Sequence, residues 1–358
     1  MPVSADDLKM LTETARDWME RHAPAVAGLR RDPVLAVRQW DGIAEMGWTA
    51  AAVPEEQGGA GFAMTGLGSL LHAVGREIAD IPLLGSAIGA FLVARWGREA
   101  AQGEMLSRLL SGEARAALAF GEGAHHDRID MSATRAEQGW RLNGRKSWVQ
   151  GGADAEWLLV SAQADATAIF LVEGKAVRSE AVESVDGRAF AHILLDDVIV
   201  GEDALLTGGS ETASLALDLA RVGLAAEMVG ATERAIEITV DYLKTREQFG
   251  RSIGSFQALQ HRAAQMLIDL ELARSCVAAA LAAADAHAPD FGELALLAKY
   301  MAGEAIHNAS NEMVQLHGGM GMTSEHLAGN YLKWARVSAA LLGGNAQIAQ
   351  QYAALKGY

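Results

Sequence analysis

Cysteine is almost absent: Cys276 is the only one in 358 residues. A lone thiol excludes an internal disulfide and any metal site built from several cysteines, and it suits a reducing cytoplasm. It lies in an Ala/Leu-rich run with helical spacing, where it reads as a small buried hydrophobe. Long apolar runs are also missing. No stretch of about 18 apolar residues occurs without charge, so no membrane span is expected. No basic segment followed by an apolar core opens the chain, so no secretory signal is read and a cytoplasmic protein is expected. Positive charge is in short supply. Thirty Lys and Arg against 45 Asp and Glu leave a net charge of −15, which argues against a general nucleic-acid binder. It leaves room for a small anionic ligand, because a few arginines outweigh the global field locally. No Gly-x-Gly-x-x-Gly follows a strand pattern, so nicotinamide dinucleotide binding has no support. His125 and His126 stand in a polar stretch with no third ligand set by the sequence, so no metal is expected.

What is present is apolar and helical. Half the chain is hydrophobic, enough for two or three packed domains. Ser4 reads as the cap of a first helix, with Asp6 and Asp7 in its first turn, and Leu8, Leu11, Ala15, Trp18 and Met19 follow at helical spacing. A second helix spans about Pro33 to Met46. Gly47 to Phe62, with Pro54, Gly58, Gly59 and Gly61, reads as a loop. Two or three helices follow between Met64 and Gly112, one started by Pro82. Near Arg115 the pattern changes. Residues 116–120, 140–142, 157–161, 168–172 and 192–195 read as short strands, and Asn143-Gly144 predicts a hairpin turn. Strands without helices between them predict an antiparallel sheet, curled into a small barrel or sandwich. From about Thr212 the chain is helical again: Leu215 to Leu243, Phe256 to Ala286, Phe291 to Val314, and a last segment from Ala328 to Leu355. Pro289 separates the second from the third, and long helices with short links predict an antiparallel bundle. The expected division is an N-terminal helical domain over 1–114, a middle β domain over 115–208 and a C-terminal helical bundle over 209–358. The fold class is mainly α with a central antiparallel β domain.

Two stretches carry chemistry. One is Thr245-Arg246-Glu247-Gln248-Phe249-Gly250, continued by Phe256-Gln257. The other is Gln315-Leu316-His317-Gly318-Gly319-Met320-Gly321-Met322, where three glycines in four positions break the helix. Taken singly they read blandly, as a surface arginine, a core phenylalanine and a glycine turn. Taken chemically, an arginine pairs with a pyrophosphate, and glycine lets backbone approach a ligand. Two more stretches stand upstream: Gly47-Trp48 with Val53-Pro54-Glu55-Glu56, and Asn143-Gly144-Arg145-Lys146-Ser147-Trp148. In this order and spacing, the four closely resemble the acyl-CoA dehydrogenase family over nearly the whole chain.

The resemblance implies a three-domain fold: N-terminal helical domain, β barrel or sandwich, and C-terminal four-helix bundle. It implies FAD as cofactor, an acyl-CoA thioester as substrate and electron-transfer flavoprotein or a similar electron acceptor. It makes Arg246, Phe249 and Gln257, with Gln315, Gly318 and Gly319 from a neighbouring subunit, holders of the adenosine-pyrophosphate half of FAD. It places Trp148 against the flavin ring and counts Gln347, of the shared Gln-Ile pair, among the cofactor-binding residues. Two positions depart from the pattern: Gln150 stands where the family has Thr, and Gly121 replaces the Thr of a Thr-Glu-Pro segment.

The reaction of that family needs a carboxylate near the α carbon of the thioester. The usual slot, aligned on Gln347-Ile348, holds Gly343, or Leu342 with a one-residue shift. The alternative slot, directly before Arg221, holds Ala220. Neither position accepts a proton, although a Glu placed at Gly343 or Ala220 is expected to install some activity. Glu227, seven positions on from Ala220, is the weak candidate for a relocated base, partly desolvated and with a raised pKa; a buried ion pair is its plainer role. Glu325 reads as a cap or surface partner. The empty slots resemble the short subunits of bacterial hetero-oligomeric acyl-CoA dehydrogenases acting on steroid side chains. The expected assembly is a homodimer or homotetramer, or a hetero-tetramer with a Glu-bearing paralogue. The other expectations are a self-sufficient dehydrogenase with a relocated base, a flavin monooxygenase of the same fold, and a non-enzymatic acyl-CoA-binding scaffold.

Overall fold

A computed structural model describes residues 4–25, 32–123 and 129–358; His125 and His126 lie outside the described residues. The Ser4 hydroxyl accepts the Asp7 amide at 3.1 Å and caps α1 (Ala5–His22). Asp6 and Asp7 place negative charge at the positive end of its dipole. The Asp32 carboxylate caps α2 (Pro33–Glu45), accepting from the Val34 and Leu35 amides at 2.9 and 3.3 Å. The expected loop follows, broken only by short 3₁₀ turns at Trp48–Ala50 and Glu55–Gln57. Then come α3 (Ala63–Arg76), α4 (Leu83–Trp96) and the short α5 (Leu106–Leu110). The almost wholly apolar α4 is buried between the sheet and the bundle.

Among the described residues, the middle of the chain forms seven strands: β1 (Ala116–Ala119), β2 (Ser132–Ala136), β3 (Gly139–Gln150), β4 (Trp157–Gln163), β5 (Thr167–Glu173), β6 (Arg178–Glu183) and β7 (Ala189–Val200). Their order is β1-β4-β2-β3-β7-β6, with β5 on the free side of β4. Three expectations are corrected here. The sheet is mixed, because β1 runs parallel to β4 and β2 touches β4 in parallel at Ser132 and Gln163. Asn143-Gly144 is no hairpin turn; it lies inside β3 at a bulge in the ladder to β7, and the β2–β3 turn is at Glu137 and Gln138. Gly144 has φ +143° there, and a Cβ would come within 3.1 Å of Met131. The side chain of Asn143 instead crosses to Asp197. β2 and β6 escape a hydrophobicity reading because their sequences, Ser-Ala-Thr-Arg-Ala and Arg-Ser-Glu-Ala-Val-Glu, are largely polar and little buried.

The rest is helical: α6 (Gly209–Thr245), α7 (Gln257–Asp285), α8 (Phe291–His317), α9 (Ala328–Ala340) and α10 (Asn345–Leu355). The single last segment expected from the sequence is two helices, parted at residues 341–344, where Leu342 and Gly343 have φ +57° and +107°. α6 is the axis of the molecule and packs on α3, α4, α7, α8 and β5. It crosses α3 at close range. A Cβ on Gly75 would fall 1.9 Å from the Glu227 carbonyl oxygen, and one on Gly230 would fall 2.0 Å from that of His72; only glycine permits such a crossing. Buried Arg76 seals it, bonding Glu233 at 2.6 Å and Glu237 at 2.7 Å, while Arg274 reaches Glu233 at 2.7 Å. Cys276 is half-buried at the edge of the core rather than inside it.

Candidate functional site

Trp148 stands at a second bulge of β3, where the pairing with β7 slips between Lys146 and Val149. Its φ of +58° turns the indole out of the ladder, as bulges do beside sites. The residue is 46% exposed, and its ring stands edge-on to Phe190 and His192 of β7, at 6.0 and 5.8 Å. Beneath it Lys146 is fully buried, paired with Glu122 and bonded to the Ser161 hydroxyl at 2.9 Å. Burial pushes that ammonium down to about 8, against the pull of Glu122. Trp148 borders a cavity of about 60 Å³, lined also by Leu84 and Gly85 of α4, Leu118 of β1, Gln150 of β3, Leu224 of α6, and Leu341 and Leu342. That is room for a few waters, well short of an ordinary ligand site. None of its lining residues is acidic.

Of the base-slot positions, only Leu342 lines this cavity; Ala220 and Gly343 do not. Ala220 is fully buried in α6. Gly343 has φ +107°, and a Cβ there would lie 2.9 Å from Ile348 Cδ1, so any side chain at Gly343 carries backbone strain. Leu342, one residue earlier, is the position that lines the cavity. Two buried cations hold this break between α9 and α10. Arg221 Nε donates to the Leu342 carbonyl at 3.0 Å, and its other nitrogens reach Gln351 at 3.0 Å and Asp218 at 3.1 Å. Lys299 Nζ donates to the carbonyls of Ala339 and Gly343, both at 3.2 Å. Burial pushes Lys299 down to about 7, with the charge of Arg221 adding to it. Burial also pushes Asp218 up to about 6, against Arg221. Neither cation was picked out from the sequence. The available signal was a lone lysine among Ala295, Leu296, Ala298 and Ala302 on the buried face of α8.

Glu227 is buried, about 10 Å along α6 from Ala220. Burial pushes its carboxyl up to about 7, and Arg188 opposes this only through space. The plainer expectation of a buried ion pair is not met among the described residues, and desolvation is complete rather than partial. Glu227 lies one turn from Leu224 but is not among the residues lining the cavity.

The remaining predicted residues except Gln347 gather at one end of the bundle. After α6, the pairs Glu247–Gln248 and Arg251–Ser252 form a small ribbon with Phe249 at its tip, φ +55° and 90% exposed. Arg246 and Gln257 are exposed beside it. Tyr242 of α6 stacks on His317 at 4.4 Å, which brings the Gln315–Gly319 turn to the same end. Gln315, Gly318 and Gly319 are exposed, and nothing lies within 4 Å of a Cβ on either glycine. Open backbone and a free-standing arginine fit a diphosphate, as the bulged indole fits a planar ring. Gln347 is apart from both, its side-chain oxygen accepting the Gly344 amide at 3.1 Å and capping α10. From Leu224 to Thr245, α6 runs roughly 30 Å. One chain thus presents the cavity beside Trp148 and, far from it, the open end that carries Arg246 and the glycine turn.

Comparison with known proteins adds to this geometry. A family model of the acyl-CoA dehydrogenase N-terminal domain matches residues 5–113, and one of the acyl-CoA dehydrogenase C-terminal domain matches residues 207–354. The chain is 31% identical over 345 residues to acyl-CoA dehydrogenase IpdE2 of Mycobacterium tuberculosis, covering 94% of this chain and 93% of that protein. It is 31% identical over 329 residues to acyl-CoA dehydrogenase FadE27 of the same organism, covering 85% and 84%. Among solved structures, a variant of the Tcur3481-Tcur3483 steroid ACAD superposes with a TM-score of 0.90 at 32% identity, covering 98% of each chain. The ChsE4-ChsE5 complex from Mycobacterium tuberculosis superposes with a TM-score of 0.89 at 25% identity, covering 99% and 98%.

Proposed function

Since the chain belongs to the acyl-CoA dehydrogenase family, we propose that it is an FAD-holding subunit of such a dehydrogenase that lacks the α-proton base and works with a second, Glu-bearing chain. The observation that carries this is the cavity beside Trp148. Leu224, Leu341 and Leu342 line it where a carboxylate is needed, and Arg221 and Lys299 hold its mouth through the carbonyls of Leu342, Ala339 and Gly343.

When bound, FAD supplies the hydride acceptor for the Cβ–H bond of an acyl-CoA. Trp148 flanks its ring from the bulge of β3, with Phe190 and His192 setting the angle of the indole. Arg246, Phe249, Gln257, Gln315, Gly318 and Gly319 receive a dinucleotide tail at the bundle end. The separation of the two surfaces along α6 suits a cofactor shared between subunits, in which the bundle end of this chain completes the ring site of a neighbour. Apolar side chains stand exposed where such a neighbour would pack: Phe249 and Met322 at the bundle end, and Leu267, Ile268 and Leu272 along α7. The likeness to a steroid ACAD variant makes a ring-bearing acyl thioester the first substrate to try, beside short fatty acyl thioesters. Electron-transfer flavoprotein, or a carrier like it, is the expected acceptor.

The test is purification alone and with a Glu-bearing paralogue, followed by flavin quantification and a ferricenium-coupled acyl-CoA assay. Flavin retained by the assembly, with turnover only when the second chain is present, is the expected result. Robust turnover by this chain alone would overturn the reading.

A further inference from the structure

His317 ends α8 directly before the Gly318–Gly319 turn and is almost wholly buried. Its Nδ1 donates to the Met313 carbonyl at 2.7 Å, so the proton resides there, and Nε2 is a bare acceptor, buried without a partner. The ring stacks on Tyr242 of α6 at 4.4 Å and meets His326 at 4.2 Å. His326 belongs to the segment between the turn and α9, and its Nδ1 accepts the Ala328 amide at 3.1 Å, at the start of α9. Two neutral imidazoles therefore tie the end of α6, the end of α8 and the start of α9 together around residues 318–322.

This arrangement tolerates no further proton. On His317 it would make a buried cation, faced by Tyr242 from α6, by the Met313 carbonyl from α8 and by His326, none of them an anion. Glu312, on the same helix, is engaged by Arg262 at 2.6 and 2.9 Å, and Glu325 is exposed. On His326 the proton would displace the Ala328 amide, and two imidazolium rings at this separation would repel.

We propose that His317 and His326 are positioning residues, an acid-sensitive brace that holds the Gly318–Gly319 turn in the shape that receives the dinucleotide end of FAD. The proposal rests on the flavin reading above. Burial holds both imidazoles below their ordinary range, with the charge of His317 adding to the effect on His326. A histidine depressed in the folded state binds fewer protons there than in the unfolded chain. The brace is therefore whole above the ordinary imidazole range, and its stability falls away as pH drops through that range.

The test uses the FAD-loaded assembly between pH 7.5 and pH 5.5. Flavin dissociation is followed by fluorescence, and amide hydrogen exchange over residues 318–323 is corrected for the intrinsic pH effect. The expected result is a several-fold weaker hold on FAD in acid, reversible on neutralisation, with faster exchange confined to the turn. His326→Phe keeps a ring on His317 and removes one of the two titrating groups, so it should make both profiles shallower, leaving only the part that His317 carries. An unchanged acid profile in His326→Phe would overturn the proposal, as would exchange over 318–323 that ignores pH. If the variant fails to fold, imidazole NMR titration of the unaltered protein decides. Both rings should stay neutral below the ordinary histidine range, and titration of both at or above it would overturn the brace. Absence of flavin at every pH would instead strike the flavin reading, and exchange over the turn would still decide the brace.

Discussion

Leu342 and Gly343 are adjacent in sequence and opposite in tolerance. Leu342 lines the cavity beside Trp148, whereas Gly343 has φ +107° and meets Ile348 Cδ1. Leu342→Glu is expected to give the assembled protein a carboxylate in the cavity, seen as faster α-proton exchange of an acyl-CoA in deuterated buffer. Gly343→Glu is expected to lose roughly 1–3 kcal/mol of stability through backbone strain, read by urea unfolding, with no exchange gained. If Gly343→Glu were the active variant, the register chosen here would be wrong. At the other end of α6, Arg246 is an exposed charge with no side-chain partner among the described residues. Arg246→Ala should weaken FAD binding by about 1.5–3 kcal/mol, the worth of a hydrogen bond to a charged group, with thermal stability of the flavin-free protein unchanged. An unaltered affinity by fluorescence titration would remove Arg246 from the site.

At the scale of elements, α6 decides the interior. It carries Ala220, Arg221, Leu224 and Glu227 past the sheet, the break after α9 and helix α3. Glu227 is the one carboxyl in its buried centre, raised to about 7 by burial. The folded state therefore binds this proton more tightly than the unfolded chain. Its contribution is intact below the unfolded carboxyl range and is lost as pH rises through 7. Glu227→Gln, which keeps the shape and removes the charge, should raise the melting temperature at pH 8.5 by an amount worth about 1–3 kcal/mol and change little at pH 5. Turnover of the assembled enzyme should be unaffected. Loss of turnover with FAD still bound would make Glu227 the base and overturn the partner-chain reading.

For the whole molecule, the question is what one chain can complete. Its indole and its open glycine turn lie at opposite reaches of α6, and apolar residues are exposed on α7 and at the bundle end. The protein should therefore be a dimer or larger at micromolar concentration, alone or with a second chain. Light scattering that finds a stable monomer with FAD fully bound would contradict the shared site. Its acidity, −15 overall, leaves the anionic cofactor to local arginines, so FAD affinity should fall with salt.

The sequence by itself determined the order of the helical and strand segments and singled out the stretches proposed to face the cofactor. Helical spacing, the shift to short alternating runs after Arg115 and the Pro289 break are local patterns, and local patterns suffice to place long helices and apolar strands. The Arg246 and Gly318 stretches were legible for the same reason, each being a contiguous loop whose chemistry lies in its own residue types. Tertiary structure decided what depends on distant partners. The parallel pairing of β1 with β4, and the strands β2 and β6, exist because neighbours supply their ladders, with little hydrophobic pattern to announce them. Asn143-Gly144 became a bulge rather than a turn because Asp197 of β7 takes up the Asn143 side chain. The character of the cavity was decided the same way. Arg221 and Lys299 come from α6 and α8 to bond backbone carbonyls after α9, and carbonyl oxygens leave no trace in a sequence. Whether Leu342 or Gly343 faces the cavity depends on two positive φ angles that this packing imposes.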